Sequence, residues 1–283
     1  MAQAELKMIS QFESPRFKLD QLVEWFSSYD SCLVAFSGGV DSSVLAYAAC
    51  KTLGKNALAV TSVSPAFAKS ELSAATKIAS EIGIELVTVR QDDLSDPNYV
   101  ANQVSRCYFC RSNLARAIEP FAKRRNINLW VDGTHSEDMR SPRPGVKALR
   151  EAGFRAPFVE LSYSKMDIRA IAKLANLSNA ERPSEACLSS RIAYEQRIES
   201  NTLRMIEQSE EFIKQVTGAN VVRVRTIGSG AVVELDRASI PTALEKVLEI
   251  SDALKSLGYS SVEIDSEGYR EGRMLSLFVQ ELQ

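Results

Sequence analysis

Residues Ser37–Ser42 read SGGVDS and separate an apolar run from a predicted helix, an arrangement that suits the binding of an anion. The two glycines, Gly38 and Gly39, let the backbone turn tightly and approach a ligand without a Cβ in the way. The start of the following helix offers N–H donors and the positive end of a helix dipole. Serine hydroxyls could donate to phosphate oxygens, and Asp41 could hold a magnesium ion that bridges the phosphates. This segment, named the SGGVDS loop below, therefore predicts a phosphate site.

Two familiar phosphate motifs do not describe the SGGVDS loop. The chain lacks G-x-x-x-x-G-K-[ST], which excludes a Walker-type loop, and it lacks G-x-G-x-x-G, the dinucleotide fingerprint. An ordinary Gly-Ser turn that caps a helix is the alternative. The combination of Ser37, Asp41 and Ser42 at one junction favours a ligand site over that turn.

Two cysteines stand at C-x-x-C spacing, Cys107 and Cys110 in RCYFC, just before a predicted helix. A thiol near a helix N-terminus has a lowered pKa and becomes a better ligand or nucleophile. A zinc site would need two further ligands. Since His135 is the single histidine, Cys₂His₂ is excluded and Cys₃His would require that residue. Two inert buried cysteines are the alternative.

A further cysteine, Cys187, lies in the polar segment RPSEACLSSR, flanked by Arg182 and Arg191. Positive neighbours favour the thiolate form, so Cys187 is a candidate nucleophile, with a structural cysteine as the alternative. Cys32 opens an apolar strand and Cys50 lies on a predicted helix. Both are predicted to be core residues without a chemical role.

Two arginines alternate in VRVR, so Arg223 and Arg225 share one face of a predicted strand. Together they could bind a phosphate with paired hydrogen bonds, although a solvated strand face is the alternative. Glu234 and Asp236 in VELD also share a face. They could pair with the arginines or hold a metal.

Alternating elements must position these residues. Short apolar strands are predicted at 32–36, 57–63, 84–90 and 127–133, separated by helices at 43–54, 69–83 and 111–126. This alternation predicts an α/β fold with a parallel sheet, whose ligands bind at the C-terminal ends of the strands. Gly133 and Thr134 follow the fourth strand in VDGTHSED, so they could approach a ligand at that edge.

The second half of the chain predicts a different organisation. A helix at 164–177 has Ser164 as its N-cap and Asp167 at the capping-box position. Further elements are predicted as a helix at 199–217, strands at 221–227 and 231–236, a helix at 238–257, and strands at 261–265 and 274–280. We therefore predict two domains, residues 1–195 and a smaller α+β domain at 196–283.

The composition fits a globular protein in a reducing compartment. The 283 residues are 45% hydrophobic and 25% charged, with a net charge of −2 that disfavours non-specific nucleic-acid binding. The first residues lack the pattern of a signal peptide, and no apolar run is long enough to span a membrane. Five cysteines, an odd number, argue against a disulfide framework, so we expect a cytoplasmic protein.

The segment SGGVDSS resembles the SGGxDS signature of the PP-loop ATP pyrophosphatases. This resemblance implies cleavage of ATP to AMP and pyrophosphate, with magnesium assisting. The residues expected at the nucleotide are Ser37, Gly38, Gly39, Val40, Asp41 and Ser42, with Gly133 and Thr134 close to AMP. Along nearly its full length the chain also resembles the LarE family, through SGGVDSS, VDGTHSEDM, RPGVKALREAGFRAP, SEACLSSR and VRVR. That family converts a carboxylate of pyridinium-3,5-biscarboxylic acid mononucleotide to a thiocarboxylate for the nickel-pincer nucleotide.

The LarE resemblance also implies roles for individual residues. Cys187 matches the position of the cysteine whose sulfur is transferred in sacrificial members. Cys107, Cys110 and Cys187 match members in which three cysteines bind a [4Fe-4S] cluster, and this chain is closer to that type. Arg223 and Arg225 would bind the phosphate of the substrate. His135 departs from the usual asparagine of the family. We also expect a homo-oligomer.

Three other functions stay open on the sequence alone. A PP-loop tRNA thiolase would need a basic face, which the net charge of −2 does not favour. An ammonia-using synthetase of the NAD synthetase type would not need Cys107, Cys110 and Cys187. A non-catalytic nucleotide sensor would bind ATP without releasing pyrophosphate.

Overall fold

Four parallel strands form the first sheet of the computed structural model, which describes residues 14–140, 143–183, 185–270 and 272–274. The strands are β1 (Cys32–Ala35), β2 (Ala57–Val63), β3 (Glu85–Arg90) and β4 (Trp130–Val131). Their order across the sheet is β3-β2-β1-β4, with every pairing parallel. The predicted α/β fold is therefore confirmed, although β4 is shorter than the predicted strand at 127–133.

Eight α-helices lie among the described residues of the first 174 positions. They are α1 (Pro15–Ser27), α2 (Val40–Leu53), α3 (Lys69–Ile82), α4 (Pro97–Val100), α5 (Arg106–Arg124), α6 (Pro144–Glu151), α7 (Pro157–Glu160) and α8 (Lys165–Leu174). Helix α2 begins three residues before the prediction, directly within the SGGVDS loop. No helix in the part of the chain that the structure describes is both long and apolar enough to cross a membrane.

The central strands are apolar on both faces because both faces of the sheet are covered. Leu33 and Leu58 pack in one buried cluster, whereas their neighbours Val34 and Ala59 pack in another. Alternate residues of a strand point to opposite faces, so β1 and β2 contribute to two cores at once. This burial fixes the C-terminal end of β1, from which the SGGVDS loop departs.

Helix α8 starts with the predicted capping box. The Ser164 hydroxyl accepts the Asp167 N–H, and the Asp167 carboxylate accepts the Ser164 N–H at 2.9 Å. Lys18 of α1 forms an ion pair with the other Asp167 oxygen at 2.5 Å. Although burial alone would raise the pKa of Asp167, the hydrogen bonds from Lys18 and Ser164 outweigh it and hold the pKa below its ordinary 3.8.

We expect Asp167→Asn to lower the free energy of unfolding by about 1 kcal/mol at pH 7, since the cap and the ion pair are both weakened. A carboxyl whose pKa is lowered on folding stabilises the protein above its unfolded pKa and loses this effect as pH falls through the folded pKa. The difference from the native protein should therefore shrink between pH 7 and pH 3, measured by urea unfolding. Asp20→Asn, at an exposed ion pair, is the control. A difference that stays constant over this pH range would contradict the prediction.

A smaller mixed sheet follows in the C-terminal part. It consists of β5 (Val222–Ile227), β6 (Gly230–Leu235) and β7 (Ser261–Ile264), with β5 antiparallel and β7 parallel to β6. Its helices are α9 (Ser200–Thr217), α10 (Ile240–Glu245) and α11 (Val247–Leu257). The single predicted helix at 238–257 is wrong, because the α-helix is interrupted at Lys246. The predicted strand at 274–280 lies, apart from Met274, outside the described residues.

The described residues divide into two compact units. The first contains residues 14–64, Lys69–Gln91 and Tyr108–Glu185, and the second contains Pro65–Ala68, Asp92–Cys107 and the residues from Ala186 onward. The second unit thus takes in Cys187 together with the small sheet. The assignment of domains to 1–195 and 196–283 stays a prediction.

Candidate functional site

The SGGVDS loop connects β1 to α2 at the C-terminal edge of the parallel sheet. Gly39 is the N-cap residue of α2, and its carbonyl accepts the Ser43 N–H at 3.0 Å. The hydroxyls of Ser42 and Ser43 donate to the same carbonyl at 3.1 and 2.9 Å. Ser42 also accepts the Ser37 N–H at 3.3 Å, which closes the turn. The turn places the N-terminus of α2 immediately after the two glycines, and the free N–H groups at a helix N-terminus can bind an anion.

Glycine is required at two points of this edge. Gly38 has φ +74°, and a Cβ there would lie 2.7 Å from the Cα of Ala75. Gly133, after β4, packs so closely that a Cβ would lie 2.9 Å from the Cβ of Asp41 and 3.1 Å from the Ser42 nitrogen. The structure therefore brings Gly133 directly against the SGGVDS loop, where the sequence predicted a shared edge.

Thr134 is held by a buried carboxylate. Its N–H donates to Asp132 Oδ1 at 2.9 Å, and its hydroxyl contacts the same oxygen. The other Asp132 oxygen pairs with Arg150. His135 donates its N–H to Asp138 at 3.0 Å, while its buried Nδ1 has no hydrogen-bond partner among the residues that the structure describes. Asp132 and Asp138 thus hold the backbone of the segment that follows β4.

A lysine that the sequence analysis did not single out reaches the SGGVDS loop. Lys165, the first residue of α8, places its Nζ 2.5 and 2.6 Å from the two carboxylate oxygens of Asp41. Its backbone N–H donates to Glu137 at 3.0 Å. The capping box predicted where α8 begins, but a pair separated by 124 residues leaves no local pattern. The ammonium group adds a positive charge next to the predicted phosphate site.

Asn179 is a second residue that the sequence analysis missed. It is 4% exposed, and its Nδ2 donates to the Gly38 carbonyl at 2.8 Å and to the Ser43 hydroxyl at 2.9 Å. One side chain thereby links Gly38, within the SGGVDS loop, to Ser43, the residue that follows the loop. Its Oδ1 has no hydrogen-bond partner within the described part of the chain.

In the second compact unit, Cys187 is exposed and precedes a short 3₁₀ helix, Leu188–Arg191. Its two predicted positive neighbours are both engaged with carboxylates. Arg182 pairs with Glu71, and Arg191 pairs with Glu210 at 2.9 Å. The prediction that their charges act directly on the thiol therefore receives no support from these ion pairs.

Arg223 and Arg225 do share a strand face, as predicted, and both guanidinium groups lie over the ring of Tyr269, 5.3 and 6.0 Å from its centroid. They are 2% and 6% exposed, so a solvated strand face is wrong. Arg225 pairs with the buried Glu234 through Nε at 3.0 Å and Nη2 at 2.8 Å. The predicted pairing of Glu234 with this arginine is thus present.

Asp236 has a different role from Glu234. Its carboxylate accepts the N–H groups of Asn220 and Val221 at 2.9 and 3.1 Å and the Ser239 hydroxyl at 2.8 Å. Although burial would raise its pKa, these hydrogen bonds outweigh it and hold the pKa of Asp236 below its ordinary value. Asp236 therefore connects the residues just before β5 to the turn that follows β6.

Comparison with known proteins gives the family. Residues 18–117 match the family model described as NAD synthase. The chain is 37% identical over 259 residues to an uncharacterized protein of Synechocystis sp., across 91% of this chain and 96% of that protein. It is 31% identical over 242 residues to the pyridinium-3,5-bisthiocarboxylic acid mononucleotide synthase of Lactiplantibacillus plantarum, across 85% of this chain and 87% of that protein. The chain belongs to the LarE family.

The C-x-x-C pair of this LarE-family chain lies within a helix, not before one. Helix α5 starts at Arg106, so Cys107 and Cys110 occupy its first turns and, three residues apart, share a face. Cys107 is exposed and Cys110 is half-buried. Gln91 donates to the Cys110 carbonyl at 2.9 Å and lies 3.6 Å from its sulfur.

A metal cluster held by this chain would need at least three ligands in one place. Across residues 14–140, 143–183, 185–270 and 272–274, no three His, Cys, Asp or Glu side chains are grouped as a metal site requires. Cys110 belongs to the first compact unit, whereas Cys107 and Cys187 belong to the second, and no reaction step is derived through a cluster. The cluster stays a prediction from the LarE resemblance.

The two remaining cysteines, Cys32 and Cys50, belong to the first compact unit. Cys32 is fully buried in β1, and burial, together with the nearby Cys50, raises the pKa of its thiol to about 12. Cys50 is half-buried on α2, and burial raises the pKa of its thiol as well. Because the pKa of each thiol is raised, both are poorer nucleophiles at neutral pH than an ordinary cysteine. That Cys32 and Cys50 have no chemical role stays a prediction.

Proposed function

We propose that this protein is an ATP-dependent sulfur transferase that converts a carboxylate of pyridinium-3,5-biscarboxylic acid mononucleotide to a thiocarboxylate, in the biosynthesis of the nickel-pincer nucleotide. The observation that carries the proposal is the 31% identity, over 85% of the chain, to a protein named for the bisthiocarboxylic product. The SGGVDS loop at the start of α2 supports the ATP part. The exposed Cys187 in the matching SEACLSSR segment supports the sulfur part.

In the first half-reaction a carboxylate oxygen of the substrate attacks the α-phosphorus of ATP, and pyrophosphate leaves. The N–H groups at the start of α2 and the serine hydroxyls of the SGGVDS loop bind pyrophosphate oxygens. Gly133 packs against the loop and Thr134 follows Gly133 in the chain, and both are proposed to contact AMP. Lys165 supplies a cation that could move from Asp41 to a phosphate oxygen as charge develops there.

A magnesium ion fits this loop through Asp41. Magnesium is usually held by one or two carboxylates together with substrate phosphates, so a single aspartate beside the phosphate site suffices. The carboxylate of Asp41 is 27% exposed and already accepts a cation, Lys165 Nζ. When bound, magnesium would neutralise phosphate charge and favour the departure of pyrophosphate.

In the second half-reaction a sulfur nucleophile attacks the carbonyl carbon of the acyl adenylate, and AMP leaves with the oxygen. Cys187 is proposed to supply or to carry that sulfur. If it supplies its own sulfur, the resulting thioester loses the Cα proton of Cys187 and its Cβ–Sγ bond breaks, which releases the thiocarboxylate and leaves dehydroalanine. Arg223 and Arg225 are proposed to bind the phosphate of the mononucleotide. Arg225 already forms an ion pair with Glu234. A bound phosphate would therefore share the Arg225 guanidinium group with that carboxylate. A cytoplasmic location and a homo-oligomeric state belong to the same proposal.

The test is to incubate the protein with ATP, magnesium and the biscarboxylate mononucleotide under anaerobic conditions. We expect a product in which sulfur replaces one oxygen, a mass increase of about 16 Da, together with AMP and pyrophosphate. Thiolation of tRNA in its place would favour the tRNA thiolase, and amide formation with ammonia would favour a synthetase. ATP binding without release of pyrophosphate would leave only a nucleotide sensor.

The sulfur source has its own expected result. If Cys107, Cys110 and Cys187 hold a cluster, protein purified without oxygen should contain about four iron atoms per chain and absorb in the visible range. Cys107→Ala should then remove the iron, whereas Cys50→Ala should retain it. A colourless, iron-free protein in which Cys187 loses its sulfur after one turnover would contradict the cluster and establish the sacrificial route.

A further inference from the structure

A buried ion pair joins the segment that carries Cys187 to helix α9. Arg191 and Glu210 are 2% and 6% exposed. They form a paired contact, with Nε 2.9 Å from Oε1 and Nη2 3.2 Å from Oε2. Both residues belong to the second compact unit, so this geometry is internal to it.

The remaining nitrogen of Arg191 faces the backbone around Cys187. Its Nη1 donates to the Cys187 carbonyl at 2.9 Å and also contacts the Ala186 carbonyl. The same Cys187 carbonyl accepts the Ser190 N–H at 3.0 Å and the Ser190 hydroxyl at 2.7 Å. Three donors therefore fix one peptide group, while the cysteine itself stays exposed.

Glu210 in turn is fixed by the small sheet. Its Oε1 accepts the Val224 N–H of β5 at 3.0 Å, in addition to Arg191. A continuous chain of hydrogen bonds thus runs from β5 through the Glu210 carboxylate and the Arg191 guanidinium to the peptide of Cys187. Each link involves a charged group, and such hydrogen bonds are about twice as strong as neutral ones.

Stability alone does not account for this arrangement. Buried ion pairs cost desolvation energy, and apolar residues of similar size are often as stable or more so. The arginine is, however, well suited to hold two successive carbonyls, because its planar group donates in several fixed directions. We propose that Arg191, held by Glu210, is a positioning residue that fixes the Cys187 peptide so that its sulfur meets the activated carboxylate.

This inference rests on the proposed function, and its test separates the two. We expect Arg191→Ala to slow thiocarboxylate formation about 10²-fold, because small displacements of a reacting group have effects of that size. Substrate-dependent release of pyrophosphate should stay within about twofold, since Arg191 belongs to the second compact unit and the SGGVDS loop to the first. Guanidinium ion added at millimolar concentration should restore part of the lost rate, which a merely structural defect would not allow.

Two conservative variants and one control sharpen the test. Arg191→Lys keeps the charge without the planar group, and Glu210→Gln keeps an acceptor without the charge, so both should slow sulfur transfer selectively. Arg204→Ala, on the exposed side of α9, is the matched control and should leave both rates unchanged. Unchanged transfer in all Arg191 and Glu210 variants, or an equal fall in pyrophosphate release, would overturn the proposal.

Alkylation of Cys187 gives a readout that does not depend on the reaction. Peptide mass spectrometry measures its rate of reaction with iodoacetamide relative to that of Cys107. We expect this ratio to change at least about threefold in Arg191→Ala and not in Arg204→Ala. If the native protein forms no thiocarboxylate but the ratio changes, the proposed function fails, whereas the inference that Arg191 fixes the Cys187 peptide stands. An unchanged ratio would overturn the positioning role.

Discussion

Cys187→Ala is expected to abolish thiocarboxylate formation, at least about 10³-fold, while release of pyrophosphate from ATP stays within about twofold. Alanine has no sulfur to attack the acyl adenylate, whereas the SGGVDS loop lies at the start of α2, in the first compact unit, and does not include Cys187. The two rates can be measured in one reaction, by mass spectrometry of the product and by a coupled assay of pyrophosphate.

The matched control for this variant is Cys50→Ala. Cys50 is half-buried, and burial raises the pKa of its thiol, so its removal should leave sulfur transfer unchanged. A Cys187→Ala protein that still forms thiocarboxylate would show that another group delivers the sulfur. Loss of both activities, with a lowered unfolding midpoint, would instead assign Cys187 to the stability of its segment.

Gly38→Ala is expected to lower the rate of ATP cleavage about 10²-fold, because the loop could no longer keep its shape. The residue has φ +74°, and the added Cβ would lie 2.7 Å from the Cα of Ala75 on α3. Backbone atoms of a helix cannot move aside easily, so the loop would shift and the carbonyl held by Asn179 would move with it. Pyrophosphate release, measured at saturating ATP and over a range of ATP concentrations, checks this expectation.

Gly83→Ala is the control that separates the steric clash expected in Gly38→Ala from the strain of a positive φ. Gly83 has a similar φ of +78°, but no described atom outside its chain neighbours lies within 4 Å of a Cβ built there. Both variants should therefore lose about 1 kcal/mol of stability through the left-handed backbone, and only Gly38→Ala should lose ATP cleavage. Equal activity in the two variants would mean that the SGGVDS loop tolerates displacement and does not act as a rigid phosphate site.

Local pattern predicted the elements of this fold well. Strands β1 to β3 lie within one residue of their predicted ends, because short apolar runs bounded by glycines and helices leave few alternatives. The capping box at Ser164 also depends only on neighbouring residues, and it is present as predicted. The start of α5 was misplaced because Arg106 and Cys107 lack the apolar spacing that marks a helix. The C-x-x-C pair was therefore put outside a helix that contains it.

The partners of the candidate site residues could not be predicted in the same way. The pair of Lys165 with Asp41 joins residues 124 apart, and the hydrogen bond of Asn179 to Gly38 joins residues 141 apart. Arg191 was taken as a charge beside Cys187, whereas its charge is directed to Glu210 on α9. Such contacts depend on which helix faces which loop, and hydrophobic periodicity carries no information about individual polar pairs.

The ion pair between Lys165 and Asp41 has a consequence for the order in which ligands bind. The resting loop carries its own counterion, since Lys165 Nζ lies 2.5 Å from one carboxylate oxygen of Asp41. Free magnesium would have to compete with this internal cation before any phosphate is present to attract either of them. The nucleotide removes that competition, because its phosphates offer the lysine a second anionic partner. If Asp41 holds magnesium as proposed, metal and ATP are therefore expected to enter together as one complex, with Lys165 moving from the protein's carboxylate to the incoming phosphate.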